Sequence, residues 1–88
     1  MFEWDEQKRL WTIHERGLDF IDATTIFDGR LAIHVPAHVK NEDRLLSIAM
    51  IGGKCYTVVW MWRGTNRRII SFRRARHEEE KAYRALYS

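Results

Sequence analysis

A single cysteine, Cys55, leaves this 88-residue chain without an internal disulfide or a multi-cysteine metal site. Set at the start of an apolar, β-branched stretch, it is expected in the core as a small hydrophobe. Pro36 is the one proline and the five glycines are scattered, so no linker, repeat or low-complexity tract divides the chain. No run approaches the ~20 apolar residues of a membrane helix. The first six residues carry Glu3, Asp5 and Glu6 where a secretory signal would carry Lys or Arg, so a cytoplasmic protein is expected. Chemistry-bearing motifs are sparse too: there is no glycine-rich phosphate loop, no Gly-x-Ser-x-Gly elbow and no cysteine–histidine dyad. The four histidines, at 14, 34, 38 and 77, lack metal-ligand spacing, and Pro36 interrupts His34-x-x-x-His38 as a helical pair. Neither a metal nor a cofactor is expected.

What is present suffices for one hydrophobic core. Apolar residues make up 45% and aromatic residues 12%, far from the composition of a disordered chain, and 88 residues build one domain, 1–88, rather than two. The formal charge of +3 is unevenly spread. Residues 1–62 hold seven Lys/Arg against nine Asp/Glu, a net of −2, whereas residues 63–88 hold eight against three, a net of +5. A polyanion would dock on the last third.

Periodicity and punctuation predict an α+β order. Residues 1–4 alternate weakly and read as a short edge strand. Residues 5–16 read as a helix capped by Asp5 and stopped by Gly17, with Leu10, Trp11 and Ile13 as its apolar members. Asp19 caps a second helix, whose Phe20, Ala23, Ile26 and Phe27 share a face and which ends at Asp28-Gly29, so the two helices form a hairpin. The period then changes to two. Residues 31–35 form a strand that Pro36 stops, and residues 37–43 form a loop. Residues 45–51 and 55–62 are strands joined by Gly52-Gly53, and Gly64-Thr65-Asn66 turns the chain into a last strand, 67–73. Residues 76–86 are dense in helix formers, with Glu78-Glu79-Glu80 at the end where the helix dipole favours acids. The fold expected is a short strand, a two-helix hairpin, an antiparallel four-strand meander and a closing helix, with helices covering one sheet face.

The residues that could carry chemistry cluster at the end of this order. Strict alternation places Arg67, Ile69, Ser71 and Arg73 on one face of the last strand and Arg68, Ile70, Phe72 and Arg74 on the other. Arginines on a strand can serve only to keep an edge soluble. Here they share a sheet with Tyr56, Trp60 and Trp62, and a basic surface with aromatic rings can hold phosphates and stack unpaired bases, although large rings in strands are usually core. Arg76 and His77 open the last helix, on which Glu79 and Tyr83, four apart, share a face. Cleaving RNA without a metal requires a group to take the 2′-hydroxyl proton, another to protonate the leaving oxygen, and cations for the phosphorane, and these residue types are all present. The same surface would also serve a non-catalytic nucleic-acid-binding module, or a protein-interaction module that captures a helix or strand.

The chain resembles the BrnT family. The resemblance rests on Phe2-Glu3-Trp4-Asp5 with Lys8, on Gly17, Phe20, Ala23 and Phe27-Asp28, on Arg44, Val58-Val59-Trp60 and Arg63-Gly64, and most specifically on Arg68-Ile69-Ile70-Ser71-x-Arg73-Arg74-Ala75 with Glu79 and Tyr83. It implies a RelE-like fold and a ribonuclease toxin of a type II toxin–antitoxin system. The implied partner is a BrnA-like antitoxin with a ribbon-helix-helix region, through which alone the complex would meet DNA. By this resemblance Arg68, Arg73, Glu79 and Tyr83 are the expected catalytic residues: the arginines on the phosphate, Glu79 moving a proton or orienting an arginine, Tyr83 stacking or hydrogen bonding. Lys8 matches the pattern near the amino terminus, and with Arg67, Arg74, Arg76 and His77 it is expected to bind RNA. The chain departs from the family pattern at Glu15-Arg16-Gly17, at Arg76, where a capping Thr is usual, and at Phe72, which replaces a small residue.

Overall fold

The computed structural model describes residues 1–40 and 42–87, with residues 38 and 39 described by backbone only. Asn41 of the expected loop and the side chain of His38 therefore lie outside the described residues. Among the described residues, five strands make one mixed sheet: β1 (Phe2–Trp4), β2 (Ala32–Val39), β3 (Glu42–Ile51), β4 (Lys54–Arg63) and β5 (Asn66–Arg74), in the order β1-β5-β4-β3-β2. β2 to β5 form the expected antiparallel meander. β1 adds in parallel to the outer side of β5, placing Glu3 beside Arg68. The helices are α1 (Glu6–Arg16), α2 (Phe20–Ala23), which runs into a 3-10 turn at Thr24–Phe27, and α3 (His77–Tyr87). None among the described residues is long and apolar enough to cross a membrane.

Local chemistry explains most element ends. The Asp5 carboxylate accepts the backbone N–H groups of Gln7 and Lys8, at 2.9 and 3.3 Å, satisfying donors that the first turn of α1 leaves free. Asp5→Ala should lower stability by about 1 kcal/mol, read as an earlier urea midpoint with an unchanged slope. Gly17 closes α1 at φ 67°, in the left-handed region. Gly52 and Gly53, at φ 57° and 82°, make the two-residue turn whose twist suits a hairpin. The second helix is α-helical for one turn only, after which the Thr24 and Thr25 hydroxyls donate to the carbonyls of Ile21 and Asp22 and the chain tightens to 3-10.

Two expected boundaries move. β2 continues through Pro36 to Val39, and β3 starts at Glu42, so most of the expected loop is ladder. β2 is an outer strand, and a proline that cannot donate is tolerated where one side of the strand has no neighbour.

Helices also cover both sheet faces rather than one. Phe20, Ala23 and Ile26, all at most 1% exposed, pack on the face carrying Val58 and Trp60, with Phe27 edge-on to Trp60 at 5.0 Å. α3 lies on the opposite face, where Tyr83 is buried and Cys55 and Thr57 face it. Cys55 is in the core, as expected, and burial pushes its thiol pKa up. The inward side of α1 is polar: Thr12 is buried, Arg9 pairs with Asp19 at 2.8 Å, and Arg16 donates to the Phe72 carbonyl at 3.0 Å. Leu10 and Trp11, which mark the helix as apolar, are more than half exposed.

β5 contains the departure that matters for function. Val59 faces Ser71 and Trp60 faces Ile69, so Ile70 has no partner on β4 and forms a bulge. The extra residue shifts the alternation. Arg68, Ser71 and Arg73 share the face on which α3 packs, while Arg67, Ile69, Phe72 and Arg74 share the other. The expected grouping of Arg73 with Arg67 is corrected accordingly.

Candidate active site

Arg73 is the best-fixed cation on the α3 face. Its terminal nitrogens donate to the two Glu79 carboxylate oxygens at 2.7 and 2.9 Å, a two-point fork. Glu79 Oε1 also accepts from the Thr57 hydroxyl at 3.0 Å and from the Arg76 backbone N–H at 2.8 Å. The last bond explains how α3 starts without a capping Thr: Arg76 occupies the cap position, its carbonyl accepting from Glu80, and Glu79, three residues on, reaches back to its N–H. Arg73 and Glu79 side chains are 17% and 16% exposed, so the pair is shielded yet reachable. The Arg73 fork above all, then the Arg76 N–H and Thr57, overcomes burial and brings the Glu79 carboxyl down to about 2.

A second station lies further along the same face. Arg68 donates to Glu3 at 2.8 Å, Asn66 donates to the other Glu3 oxygen at 3.1 Å, and Arg63 approaches at 3.4 Å. The Arg68 bond is the chief reason that the Glu3 carboxyl lies below its ordinary range. Arg68 also borders an open depression of about 280 Å³ with Asp5, Lys8, Glu42, Arg44 and Met61. Arg68 and Arg73 pair with Met61 and Thr57 of β4, four residues apart, so their Cα atoms are separated by roughly 13 Å. They mark two ends of a track rather than one clamp.

The other expected site residues fall elsewhere. Arg67 is on the opposite face, its guanidinium among the rings of Phe27, Trp62 and Trp60 at 4.7, 4.8 and 5.4 Å. Trp60 is core, 4% exposed, and Phe72 is buried in the other face, so it cannot narrow the track. Arg74 lies over Tyr56 at 5.4 Å. Arg76 and His77 are exposed at the start of α3, and His77 borders a separate depression with Glu80, Lys81 and Arg84. Tyr83 is 8% exposed, and its hydroxyl donates to the Leu31 carbonyl at 3.1 Å, tying α3 to the chain entering β2. Among the described residues, no three His, Cys, Asp or Glu side chains gather as a metal site requires.

A family model described as the ribonuclease toxin, BrnT, of type II toxin–antitoxin systems matches residues 4–79. The chain belongs to the BrnT family. No curated protein matches it. Membership makes it a ribonuclease toxin with RNA as its target and an antitoxin as its partner. The match to the BrnT model spans Lys8, Arg68 and Arg73 and ends on Glu79, leaving Tyr83 outside. Within this BrnT fold, sequence reasoning assigned no role to Glu3 or Thr57. Glu3 is 65 positions from Arg68, and only the parallel pairing of β1 brings them together. Thr57 carried no signal beyond its place in a β-branched run.

Proposed function

We propose that the chain cleaves RNA by metal-independent transesterification along the α3 face of the sheet, in the cytoplasm, and that a BrnA-like ribbon-helix-helix antitoxin silences it by covering that face. The observation that carries this reading is the bulge at Ile70, which sets Arg68 and Arg73 on one face with Glu79 locking the second arginine. Preorganised guanidinium N–H groups stabilise charge as it develops on phosphorus without having to reorganise. Five donors are available to a guanidinium, and Glu79 leaves Arg73 with N–H groups to spare for phosphate oxygens.

The 2′-oxygen attacks phosphorus, the bond to the 5′-oxygen breaks, and the products are a 2′,3′-cyclic phosphate and a 5′-hydroxyl. Glu79, at about 2 and held by three donor groups, is too weak a base to take the 2′-hydroxyl proton near neutrality. It is a positioning residue for Arg73; water accepts the proton and supplies one to the leaving oxygen. Arg68, braced by Glu3, binds a phosphate further along the strand, with Lys8 beside it. Tyr83 holds α3 to β2 rather than touching RNA.

The test is cleavage of a single-stranded RNA in EDTA by purified protein, with product ends determined by mass. Cyclic-phosphate ends that disappear with Arg73→Ala are expected. No cleavage, or equal cleavage by both proteins, would sink the proposal.

A further inference from the structure

A cleft of about 590 Å³ is bordered by Arg16, Leu18, Lys54, Tyr56, Arg73 and Arg74. Among the described residues, four cations and no carboxylate meet there, and Arg73 alone of the four has an acidic partner, Glu79. Arg16 is held by the Phe72 carbonyl at 3.0 Å and by the face of Trp11 at 5.2 Å. Arg74 is held by the Cys55 carbonyl at 3.3 Å and by the face of Tyr56 at 5.4 Å. Carbonyl and ring contacts fix a guanidinium in place while leaving its charge uncompensated, which is the condition for receiving an anion. The cleft lies past the end of β1, which pairs with β5 only at residues 67–69, so here the outer side of β5 meets the end of α1 instead of another strand.

We infer that this cleft is the binding site for the RNA strand running on from the phosphate at Arg73, with backbone phosphates on Arg16, Lys54 and Arg74 and an unstacked base against Leu18 and Tyr56. The inference rests on the ribonuclease reading for the direction of the strand, because Arg73 belongs to both the site and the cleft. RNA fits better than an acidic peptide on two counts. Cations surround an apolar floor, matching a polymer that alternates phosphate and ring, and the volume lies in the range that admits a nucleotide-sized ligand. Its dependence on salt should be steep, because each neutralised phosphate of a single strand contributes about 0.7 to the logarithmic slope.

The experiment measures binding of a fluorescent ten-nucleotide 2′-O-methyl RNA, which keeps the phosphates but lacks the nucleophile, across a salt series. The proteins compared are the unmodified chain, Lys54→Glu, the double variant Arg16→Glu/Lys54→Glu, and Lys81→Glu as an equal charge change outside the cleft. Circular dichroism establishes that each is folded. Lys54→Glu should weaken binding about tenfold, and the double variant should flatten the logarithmic salt slope by about 1.4, two phosphates' worth. Lys81→Glu should change affinity less than threefold.

Equal affinity and slope in unmodified and cleft variants would overturn the inference. So would tighter binding of an oligoglutamate peptide than of RNA at the same salt, lost in the same variants, since that would assign the cleft to an acidic protein segment. Should the unmodified protein cleave nothing while the cleft variants lose RNA binding, the catalytic reading falls and the cleft stands. Cleavage that depends on Arg73, with cleft variants binding normally, has the opposite meaning.

Discussion

Arg73→Ala should lower kcat/KM for single-stranded RNA by 10²–10³-fold, on the order of removing one preorganised donor from a charged transition state. The loss should fall on kcat more than on KM, because Arg68, Lys8 and the other cations still hold the strand when Arg73 is gone. Arg73→Lys should recover little of the activity. A lysine is a single point of charge on a flexible stem and cannot reproduce the fork on Glu79 that fixes the guanidinium. Glu79→Gln separates positioning from proton transfer. The amide keeps an oxygen for Thr57 and the Arg76 N–H but loses the charge that pins Arg73, so a drop of about tenfold is expected, with the pH–rate profile unchanged in shape. If Glu79 were the base, the loss would approach that of Arg73→Ala, and the unmodified protein would show an acidic limb that the variant lacks. Steady-state rates over a pH series, on variants whose circular dichroism matches that of the unmodified chain, decide the point.

The same carboxylate should make the fold acid-sensitive. Its pKa is about 2 in the folded chain against 4.5 as the ordinary value, so the folded state favours the ionised form. Stability from this group is complete above pH 4.5 and is lost as the pH falls from there towards 2. Full conversion of the shift is about 3 kcal/mol at 1.36 kcal/mol per unit; one edge of the pair still meets water, so about 2 kcal/mol is the better figure. Urea unfolding of the unmodified chain and of Glu79→Gln should differ by about this amount at pH 7 and converge near pH 2. Other carboxylates held by arginines, such as Asp28 at about 2, weaken both proteins alike on acidification, and the comparison removes them. A constant gap from pH 7 to pH 2 would mean that Glu79 contributes by shape and not by charge.

The parts of this fold that announce themselves in sequence are those set by neighbours along the chain. Asp5 and Asp19 cap helices because a short acid can reach N–H groups two and three residues on, and Gly17 and Gly52-Gly53 end elements because they accept positive φ. The face of Phe20, Ala23 and Ile26 follows from helical spacing. What depends on distant partners was hidden. Nothing near Pro36 says that its strand is an outer one, and nothing near Leu10 and Trp11 says that α1 turns its Thr12 and Arg16 inward, because both are decided by what packs alongside. The site divides in the same way. The Arg73–Glu79 pair spans six residues and was visible as a local cluster. The Glu3–Arg68 pair spans 65 and depends on a three-residue parallel strand, while Tyr83, suggestive by spacing, is occupied by a backbone carbonyl.

Arg68 and Arg73 stand five positions apart, and an odd interval on a regular strand means opposite sides of the sheet. Parity is restored only by Ile70, which counts in the sequence but not in the ladder. The motif therefore carries its own frameshift, and its meaning is arithmetic as much as chemical. Closing the bulge while keeping all five steps would leave every side chain in the protein and yet turn one arginine away from the other, whereas trimming Ile70 itself would leave the two on one face. Relatives of this toxin are accordingly best compared by the count of residues between their arginines together with the ladder that holds them, since an interval of four on a regular strand and an interval of five with one bulge offer RNA the same surface, and an interval of five without a bulge does not.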